Sequence, residues 1–327
     1  MLQDTQKKSR FMSFWAIGLG VLLFLITSLY LTNNFIGIDN FSNYISLPLY
    51  TIIPGVLVLL GILSLLKSKI ITNLPRISLI FLVLSFSFSF GAEQLWNLYE
   101  HVLDIDPYPS IADFFYLGAP ILMFFSLVLF LKPLRNQISK TNVFFACAIS
   151  ATLLIPTVIL TYTSSFEDEP FEILVALLYP IVDSVLLIPA IIAILFSITK
   201  KQNFFLIMLL AGIIVLIAAD TIFLFLIIDD TYFEGHPVEI LWITSYSIWA
   251  FMLYYLIHNS KYQNKEDHTE KQKIGKFSTL ITLILVNGSI GIVLVGMNYF
   301  MGGNSENNIL AFFSWFLIMI VVIFSSI

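Results

Sequence analysis

Charged residues are scarce in this chain of 327 residues, of which 11% are charged and 58% are hydrophobic. A soluble domain carries about 25% charged residues, so the composition excludes an ordinary water-soluble globular protein. The single cysteine excludes a disulfide framework and a cysteine-based zinc or iron–sulfur site. The chain has instead 31 Phe and a mean hydropathy of +0.93. This composition is typical of an all-α, polytopic integral membrane protein.

Ten apolar stretches are long enough, or nearly so, to cross a hydrocarbon core of about 30 Å as helices. Lipid cannot satisfy an open backbone, so the sequence predicts a helical bundle. The ten predicted spans are 14–31, 47–66, 77–99, 113–131, 141–162, 171–198, 204–228, 239–256, 277–296 and 309–327. They divide the chain into an eight-helix membrane core (1–258), a basic cytoplasmic loop (259–276) and two additional transmembrane helices (277–327).

The basic residues are distributed unevenly between the loops. All 16 Lys and Arg precede the first predicted span or lie in every second loop after it, and therefore fall on one side of the membrane. The positive-inside rule makes that side the cytoplasm and predicts that both termini are cytoplasmic. The loops of the opposite side are acidic. Their acidity is explained either by the orientation rule alone or by an electrostatic attraction of cations to that face.

An internal duplication is a second organisational hypothesis. Residues 49–58 (LYTIIPGVLV) and 178–187 (LYPIVDSVLL) are similar, and Glu93 and Asp220 follow them at similar distances. Each of these two acids is followed by a proline and a further carboxylate near the start of the next span. We predict a 4+4 arrangement of parallel repeats plus two extra helices. The alternative is that apolar helices resemble one another by composition.

Acidic residues inside the predicted spans are the strongest functional signal, because such residues are costly and face the bundle interior or a wet cavity. On span 3, four polar residues share one helical face. We expect Glu93 and Asp220 to share one pocket on neighbouring helices. Structural hydrogen bonding is the alternative to a ligand, proton or cation site. The candidate site residues are Glu93, Trp96, Asn97, Glu100, Asp183 and Asp220.

Two further groups of residues have weaker signals. Asp113 follows Pro-Ser at the start of span 4 and is predicted to cap that helix, with membership of the site as the alternative. Glu100, His101 and Asp104 have a spacing that allows a metal site, although a hydrated loop is the expected structure. His236 is equally ambiguous.

Several chemistries are excluded by missing motifs. The sequence contains no GxSxG, no HExxH, no glycine-rich phosphate loop and no lysine in the middle of a span. No predicted loop is long enough to hold a soluble catalytic domain. We therefore predict no enzyme activity and no cofactor. The basic residues form short clusters that orientation explains, so no nucleic-acid partner is expected.

Residues 107–118 (PYPSIADFFYLG) carry a family resemblance, because a Pro-Ser-x-Ala-Asp-x-x-Tyr-Leu segment opens a helix in known membrane proteins. The segment resembles the multi-pass membrane sensory regions that precede diguanylate cyclase, phosphodiesterase or histidine kinase output domains in prokaryotes. The likeness extends to 179–183 (YPIVD), 218–220 (AAD), Trp242 and Tyr246. The resemblance implies a sensory module in a prokaryotic plasma membrane. No such output domain is recognised within the 327 residues.

Three functions remain open from the sequence. The first is a sensory or receptor-like module that binds a small ligand, proton or cation in an outward-facing polar pocket and signals through a cytoplasmic partner. The second is a cation- or proton-coupled transporter or channel. The third is a non-catalytic subunit that docks to a membrane complex through its last two helices. In each case the lipid bilayer is the principal surrounding partner.

Overall fold

The computed structural model describes residues 2–71, 75–164, 169–199 and 204–259. In these residues the chain forms eight α-helices and no strand, so the all-helical prediction is confirmed. The eight helices are α1 (Leu2–Ile36), α2 (Leu47–Ile71), α3 (Arg76–Asn97), α4 (Ile111–Leu131), α5 (Lys140–Ser164), α6 (Pro170–Thr199), α7 (Phe204–Ile228) and α8 (Glu239–Asn259).

All eight described helices are long and apolar enough to cross a membrane, which points to a multi-pass membrane protein. They coincide with the first eight predicted spans. The predicted ninth and tenth spans (277–296 and 309–327) lie outside the described residues, as does the basic loop beyond residue 259. Large apolar side chains such as Phe24, Phe114 and Phe144 are exposed on the outer surfaces of their helices, where lipid would cover them.

Two helices gain short π-helical segments that the sequence pattern does not predict. Residues Ser42–Ser46 lead into α2, and residues Leu98–Leu103 continue α3. The second segment ends at Asp104, whose left-handed backbone (φ 53°) turns the chain away from the helix. The π-helical segment therefore determines the directions of the side chains at this end of α3.

Six of the helices form a closed ring. Going around it, α2 contacts α3, α3 contacts α4, α4 contacts α6, α6 contacts α7, α7 contacts α8, and α8 contacts α2 again. Helix α5 packs outside the ring against α6 and α7, and α1 packs outside against α8. The order places α3 and α7 on opposite sides of the ring. Polar side chains within the ring helices are therefore expected to face the ring interior, away from lipid.

The loops at one end of the ring hold the acidic residues, and we call this end the acidic-loop end. It is formed by residues 37–41, 104–110, 169 and 229–238. Hydrogen bonds join two of these loops to helices. Asn33 of α1 donates to the carbonyl of Gly235 in the 229–238 loop (3.3 Å), and Tyr108 of the 104–110 loop donates to the carbonyl of Glu172 in α6 (3.0 Å). The five Lys and Arg with described side chains belong to the opposite end: Lys67, Arg76, Lys132, Arg135 and Lys140.

A helix proline explains one of the polar contacts between ring helices. Pro54 lies inside α2 and has no N–H to bond the carbonyl of Tyr50 one turn earlier. The side-chain amide of Gln94 on α3 reaches that carbonyl at 3.5 Å. A neighbouring helix thus supplies the donor that the proline removes, as expected where water is absent.

The start of α4 is held by a capping box. The Ser110 hydroxyl accepts from the Ala112 N–H (3.0 Å), and Asp113 accepts from the Ser110 N–H (2.6 Å). Asp113 thus helps to cap α4, as the sequence predicts, but it does so from the third helical position, and the N-cap residue itself is Ser110. Its other carboxylate oxygen accepts from the Tyr179 hydroxyl of α6 at 2.5 Å, so the cap also ties two ring helices together.

We expect Asp113→Ala to lower the free energy of unfolding by about 2 kcal/mol, because it removes the Asp113–Ser110 half of the capping box and the contact to α6. Tyr179→Phe removes only the contact to α6 and should cost about half as much. Denaturant titrations of both variants in detergent micelles measure the difference. Equal losses for the two variants would mean that the cap contributes nothing.

Candidate binding site

Glu93 of α3 points into the ring and is 8% exposed. Its carboxylate accepts hydrogen bonds from two tyrosines on other ring helices. Tyr116 of α4 donates to Oε2 at 3.0 Å, and Tyr246 of α8 donates to Oε1 at 2.9 Å. Both donors are neutral hydroxyls, so they stabilise a negative charge without cancelling it.

Asp220 of α7 faces the same interior from the opposite side of the ring. It accepts a hydrogen bond from the indole N–H of Trp242 on α8 at 2.7 Å. Electrostatic repulsion links Asp220 both to Glu93 and to Asp183 of α6, which is 7% exposed. Three acidic side chains from three helices therefore converge inside the ring.

The sequence-based expectation about Glu93 and Asp220 needs one correction. The two acids do face the same interior, but α3 and α7 are not neighbours, because α3 contacts α2 and α4 while α7 contacts α6 and α8 within the ring. The physical reason is ring closure: α8 packs on α2 as well as α7, which places α3 and α7 across the centre from each other. Helix α8 spans the gap with Tyr246 and Trp242.

No described Lys or Arg balances these charges. The single ion pair among the described residues joins His101 to Glu234 at the acidic-loop end. Transferring a carboxylate out of water without compensation is unfavourable. The arrangement can therefore hold a proton or a bound cation among the carboxylates, with tyrosine and tryptophan donors fixing their orientation.

The polar region of the ring interior is followed by an apolar layer toward the opposite end. Trp249 lies one turn beyond Tyr246, and Phe86 lies two turns beyond Glu93. Their rings pack together with centroids 5.1 Å apart, and both side chains are completely buried. Leu209 and Ile213 of α7 are also fully buried in this part of the bundle. The acids are thus separated from the basic end by bulky apolar side chains.

The remaining residues of the predicted stripe on α3 lie nearer the acidic-loop end. Trp96 packs edge-on against Tyr116 (centroids 6.1 Å apart), and its indole N–H donates to Glu100 at 2.6 Å. The amide nitrogen of Asn97 is buried and makes no hydrogen bond with the described residues. Trp96 thus connects the surface acid Glu100 to the tyrosine that holds Glu93.

Glu239, at the first turn of α8, is a buried acid whose role the sequence did not reveal. It is 3% exposed and accepts four hydrogen bonds. The donors are the Tyr30 hydroxyl (3.0 Å), the Ser46 hydroxyl (2.8 Å), the Gly235 N–H (2.6 Å) and the Tyr232 hydroxyl (3.3 Å). This carboxylate joins α1, the π-helical segment before α2, the 229–238 loop and α8. Its four donors fit a structural role.

The acidic-loop end holds a second group of polar side chains. His101 Nε2 lies 3.0 Å from Glu234 Oε1, and the Ser42 hydroxyl donates to Glu234. Burial and the nearby Glu100 raise the pKa of Glu234, while His101 opposes the shift. Burial also lowers the pKa of His236 to about 4, which favours its neutral form. The Nδ1 atom of His236 accepts from the Val238 N–H at 3.1 Å.

Comparison of the chain with protein-family models, with curated proteins and with solved structures gives no match. The resemblance of residues 107–118 to prokaryotic sensory regions therefore stays a prediction. The site's geometry is the basis on which a function can be argued.

Proposed function

We propose that the six-helix ring is a receptor-like membrane module that binds a cation or a proton between Glu93, Asp183 and Asp220. The observation that carries the proposal is the convergence of three acidic side chains inside the ring without a described basic partner, with neutral donors to Glu93 and Asp220. A ligand that brings positive charge relieves their mutual repulsion.

The distribution of charge supports entry from the acidic-loop end. Glu100 and Glu234 lie at that end. Glu239 interacts electrostatically with both Glu234 and Glu93, so acidic side chains continue from the loops to the ring interior. Such a series of negative side chains raises the local concentration of cations. In the proposed orientation this end is outside the cell, and the basic end is cytoplasmic.

Helix α8 is the element through which occupancy would be signalled. It carries Tyr246, the donor to Glu93, and Trp242, the donor to Asp220. A cation or proton bound to either acid competes with Tyr246 or Trp242 for the carboxylate oxygens. Its binding would therefore favour a different position of α8. A ligand shifts such an equilibrium by its difference in affinity for the two arrangements. A partner protein at the basic end would then detect the shift.

Matching contacts support the proposed duplication. In the first half, Tyr116 lies three residues after Asp113 and donates to Glu93. In the second half, Trp242 lies three residues after Glu239 and donates to Asp220. Each half thus has a carboxylate at the start of one helix (α4 or α8) and an aromatic donor one turn later. In each half this donor bonds to an acid on the preceding helix (α3 or α7).

One further pair of contacts, a serine–carbonyl hydrogen bond in each half, joins equivalent positions with the donor and acceptor helices exchanged. Ser85 of α3 donates to the carbonyl of Ala119 on α4, and Ser245 of α8 donates to the carbonyl of Gly212 on α7. These four positions correspond when Glu93 is aligned with Asp220 and Asp113 with Glu239. A pseudo-two-fold axis along the membrane normal would then pass between Glu93 and Asp220. A single ligand on that axis would contact both acids.

The apolar layer around Phe86 and Trp249 favours a receptor over a transporter. A transport route needs an opening at both ends, and this layer fills the ring below the acids with buried apolar side chains. The proposal that the chain is a subunit of a larger complex depends on residues 277–327, which lie outside the described part.

The test is a thermal-shift screen of the purified full-length protein against pH, NaCl, KCl, MgCl₂ and CaCl₂. A ligand present at 100 times its dissociation constant stabilises the folded state by about 2.7 kcal/mol. We expect one of these conditions to stabilise the wild type. Glu93→Gln and Asp220→Asn should each abolish that stabilisation, because each removes a charge at the centre of the ring.

The matched control is Asp229→Asn, which removes one exposed acid from the 229–238 loop. It should retain the stabilisation seen with the wild type. A screen without any ligand-dependent shift, or a shift that persists in both Glu93→Gln and Asp220→Asn, would refute the proposed site.

A further inference from the structure

Three side chains at the acidic-loop end have the chemistry of a metal-binding triad, in a place separate from the ring site. Glu100 and His101 belong to the π-helical segment Leu98–Leu103, and Glu234 belongs to the 229–238 loop. One ligand atom from each lies within 4.8 Å of the other two. The fold therefore brings together two carboxylates and an imidazole from parts of the chain 133 residues apart (234 minus 101).

The triad replaces the one that the sequence spacing allowed. The spacing allowed Asp104 as the third member, although a hydrated loop was expected; its left-handed backbone ends the π-helical segment, and it is exposed outside the triad. Glu234 takes that place and lies 3.0 Å from His101 Nε2. The imidazole distinguishes this triad from an ordinary acidic surface patch, because imidazole and carboxylate together are typical zinc ligands.

Both glutamates are held by neighbouring donors. Trp96 donates to Glu100 Oε2 at 2.6 Å, and the Ser42 hydroxyl donates to Glu234. Trp96 thus orients Glu100, while the Ser42 hydroxyl contacts Oε1 of Glu234, the same oxygen that lies beside His101 Nε2. The side chains of His101 and Glu234 are 17% and 37% exposed, so solvent can reach the centre of the triad.

The electrostatics also favour a cation at this position. Glu100 and Glu234 repel each other, and no described Lys or Arg lies at this end of the bundle. A divalent cation between them would turn repulsion into attraction.

We propose that Glu100, His101 and Glu234 bind one divalent transition-metal ion of the zinc type, with water in the fourth position. Tetrahedral zinc with bonds of about 2.0–2.2 Å requires ligand atoms about 3.4 Å apart. The His101 and Glu234 ligand atoms, now 3.0 Å apart, therefore need to separate slightly, and any pair of the triad nearer to 4.8 Å needs to approach. Small rotations of the half-buried Glu100 and the exposed Glu234 side chains are sufficient for this adjustment.

The metal would fasten the 229–238 loop to the end of α3. It would also act on the ring site, because Glu100 is bonded to Trp96, Trp96 packs on Tyr116, and Tyr116 donates to Glu93. None of the metal ligands lies in the ring interior, so zinc binding does not require a ligand in the ring site. The two proposals can therefore fail separately.

The test uses the full-length protein in detergent micelles, stripped with EDTA and titrated calorimetrically with ZnCl₂. We expect saturable binding of one ion to the wild type. Glu234→Gln and His101→Gln should each weaken binding by about tenfold or more, because each removes one of three ligands. MgCl₂ should bind far more weakly, since the imidazole is a poor magnesium ligand.

The matched control is Asp104→Asn, which removes an acid adjacent to the triad and keeps the left-handed backbone that asparagine tolerates. It should bind zinc as the wild type does, and so should Glu93→Gln. Thermal unfolding without metal shows whether each variant is folded. Non-saturable zinc binding, or an unchanged affinity in folded Glu234→Gln, would overturn the proposal.

Discussion

Replacing Glu239 with alanine is expected to lower the free energy of unfolding by about 3 kcal/mol or more, the largest loss that we predict for a polar residue. The carboxylate accepts from Tyr30, Ser46, Gly235 and Tyr232, and alanine leaves these donors without their acceptor. Tyr30 and Ser46 can still bond to each other at 2.7 Å. The Gly235 N–H has no such alternative partner. The loss of its acceptor should therefore be the largest part of the destabilisation.

Glu239→Gln is the matched control for this prediction. Its amide oxygen can accept from the Gly235 N–H, and its amide nitrogen can donate to the Tyr30 and Ser46 hydroxyls, which also act as acceptors. We expect this variant to lose less than about 1 kcal/mol. Thermal and denaturant unfolding in the same detergent measure both variants.

The comparison also separates structure from function at Glu239. If this acid holds α1, the 229–238 loop and α8 together, the stability of Glu239→Ala falls while ligand-dependent stabilisation of the remaining folded protein persists. A variant that unfolds like the wild type but no longer responds to ligand would contradict the structural role. Glu239 would then belong to the binding site with Glu93.

The membrane helices were predictable because their signal is local. Helix α7 has the bounds of the predicted span 204–228, since a continuous apolar run is flanked by polar residues at both ends. The acids within spans, such as Glu93 and Asp220, were predictable for a related reason. A charge in hydrocarbon is so costly that its presence alone indicates an interior position.

The partners of those acids were not predictable, because they depend on ring closure. Glu239 and its donor Tyr30 are separated by 209 residues, and no pattern in the sequence pairs them. The proposed duplication offered one usable signal, since it would align Glu239 with Asp113 of the capping box. The triad at the acidic-loop end was missed because the π-helical segment turns His101 toward Glu234, and such a segment has no periodic signature.

Gly212→Ala is expected to be strongly destabilising, by about 2–3 kcal/mol, because α7 and α8 leave no room for a side chain at this position. A Cβ atom there would lie 2.5 Å from Trp249 Cε2 and would also clash with its Nε1. Trp249 is completely buried, its Nε1 donates to the Leu209 carbonyl at 3.0 Å, and its ring packs against Phe86. Moving the indole would therefore break a buried hydrogen bond in an apolar layer.

Gly18→Ala is the control, because Gly18 is an exposed glycine of α1 and no atom lies within 4 Å of the position that a Cβ atom would take there. Alanine at this position should leave stability unchanged or raise it slightly, since glycine is the poorer helix former. Thermal unfolding of the two variants in one detergent gives the comparison. Similar small effects at both positions would show that Trp249 has room to move.

A double-mutant cycle identifies the cause of the loss at Gly212. If the clash with the indole is responsible, Gly212→Ala should cost much less in a Trp249→Phe background, where the smaller ring leaves space for a methyl group. An equal cost in both backgrounds would place the cause elsewhere on α7. Trp249 lies one turn from Tyr246, the donor to Glu93. Relief of the clash should therefore also restore any ligand-dependent stabilisation that Gly212→Ala removes.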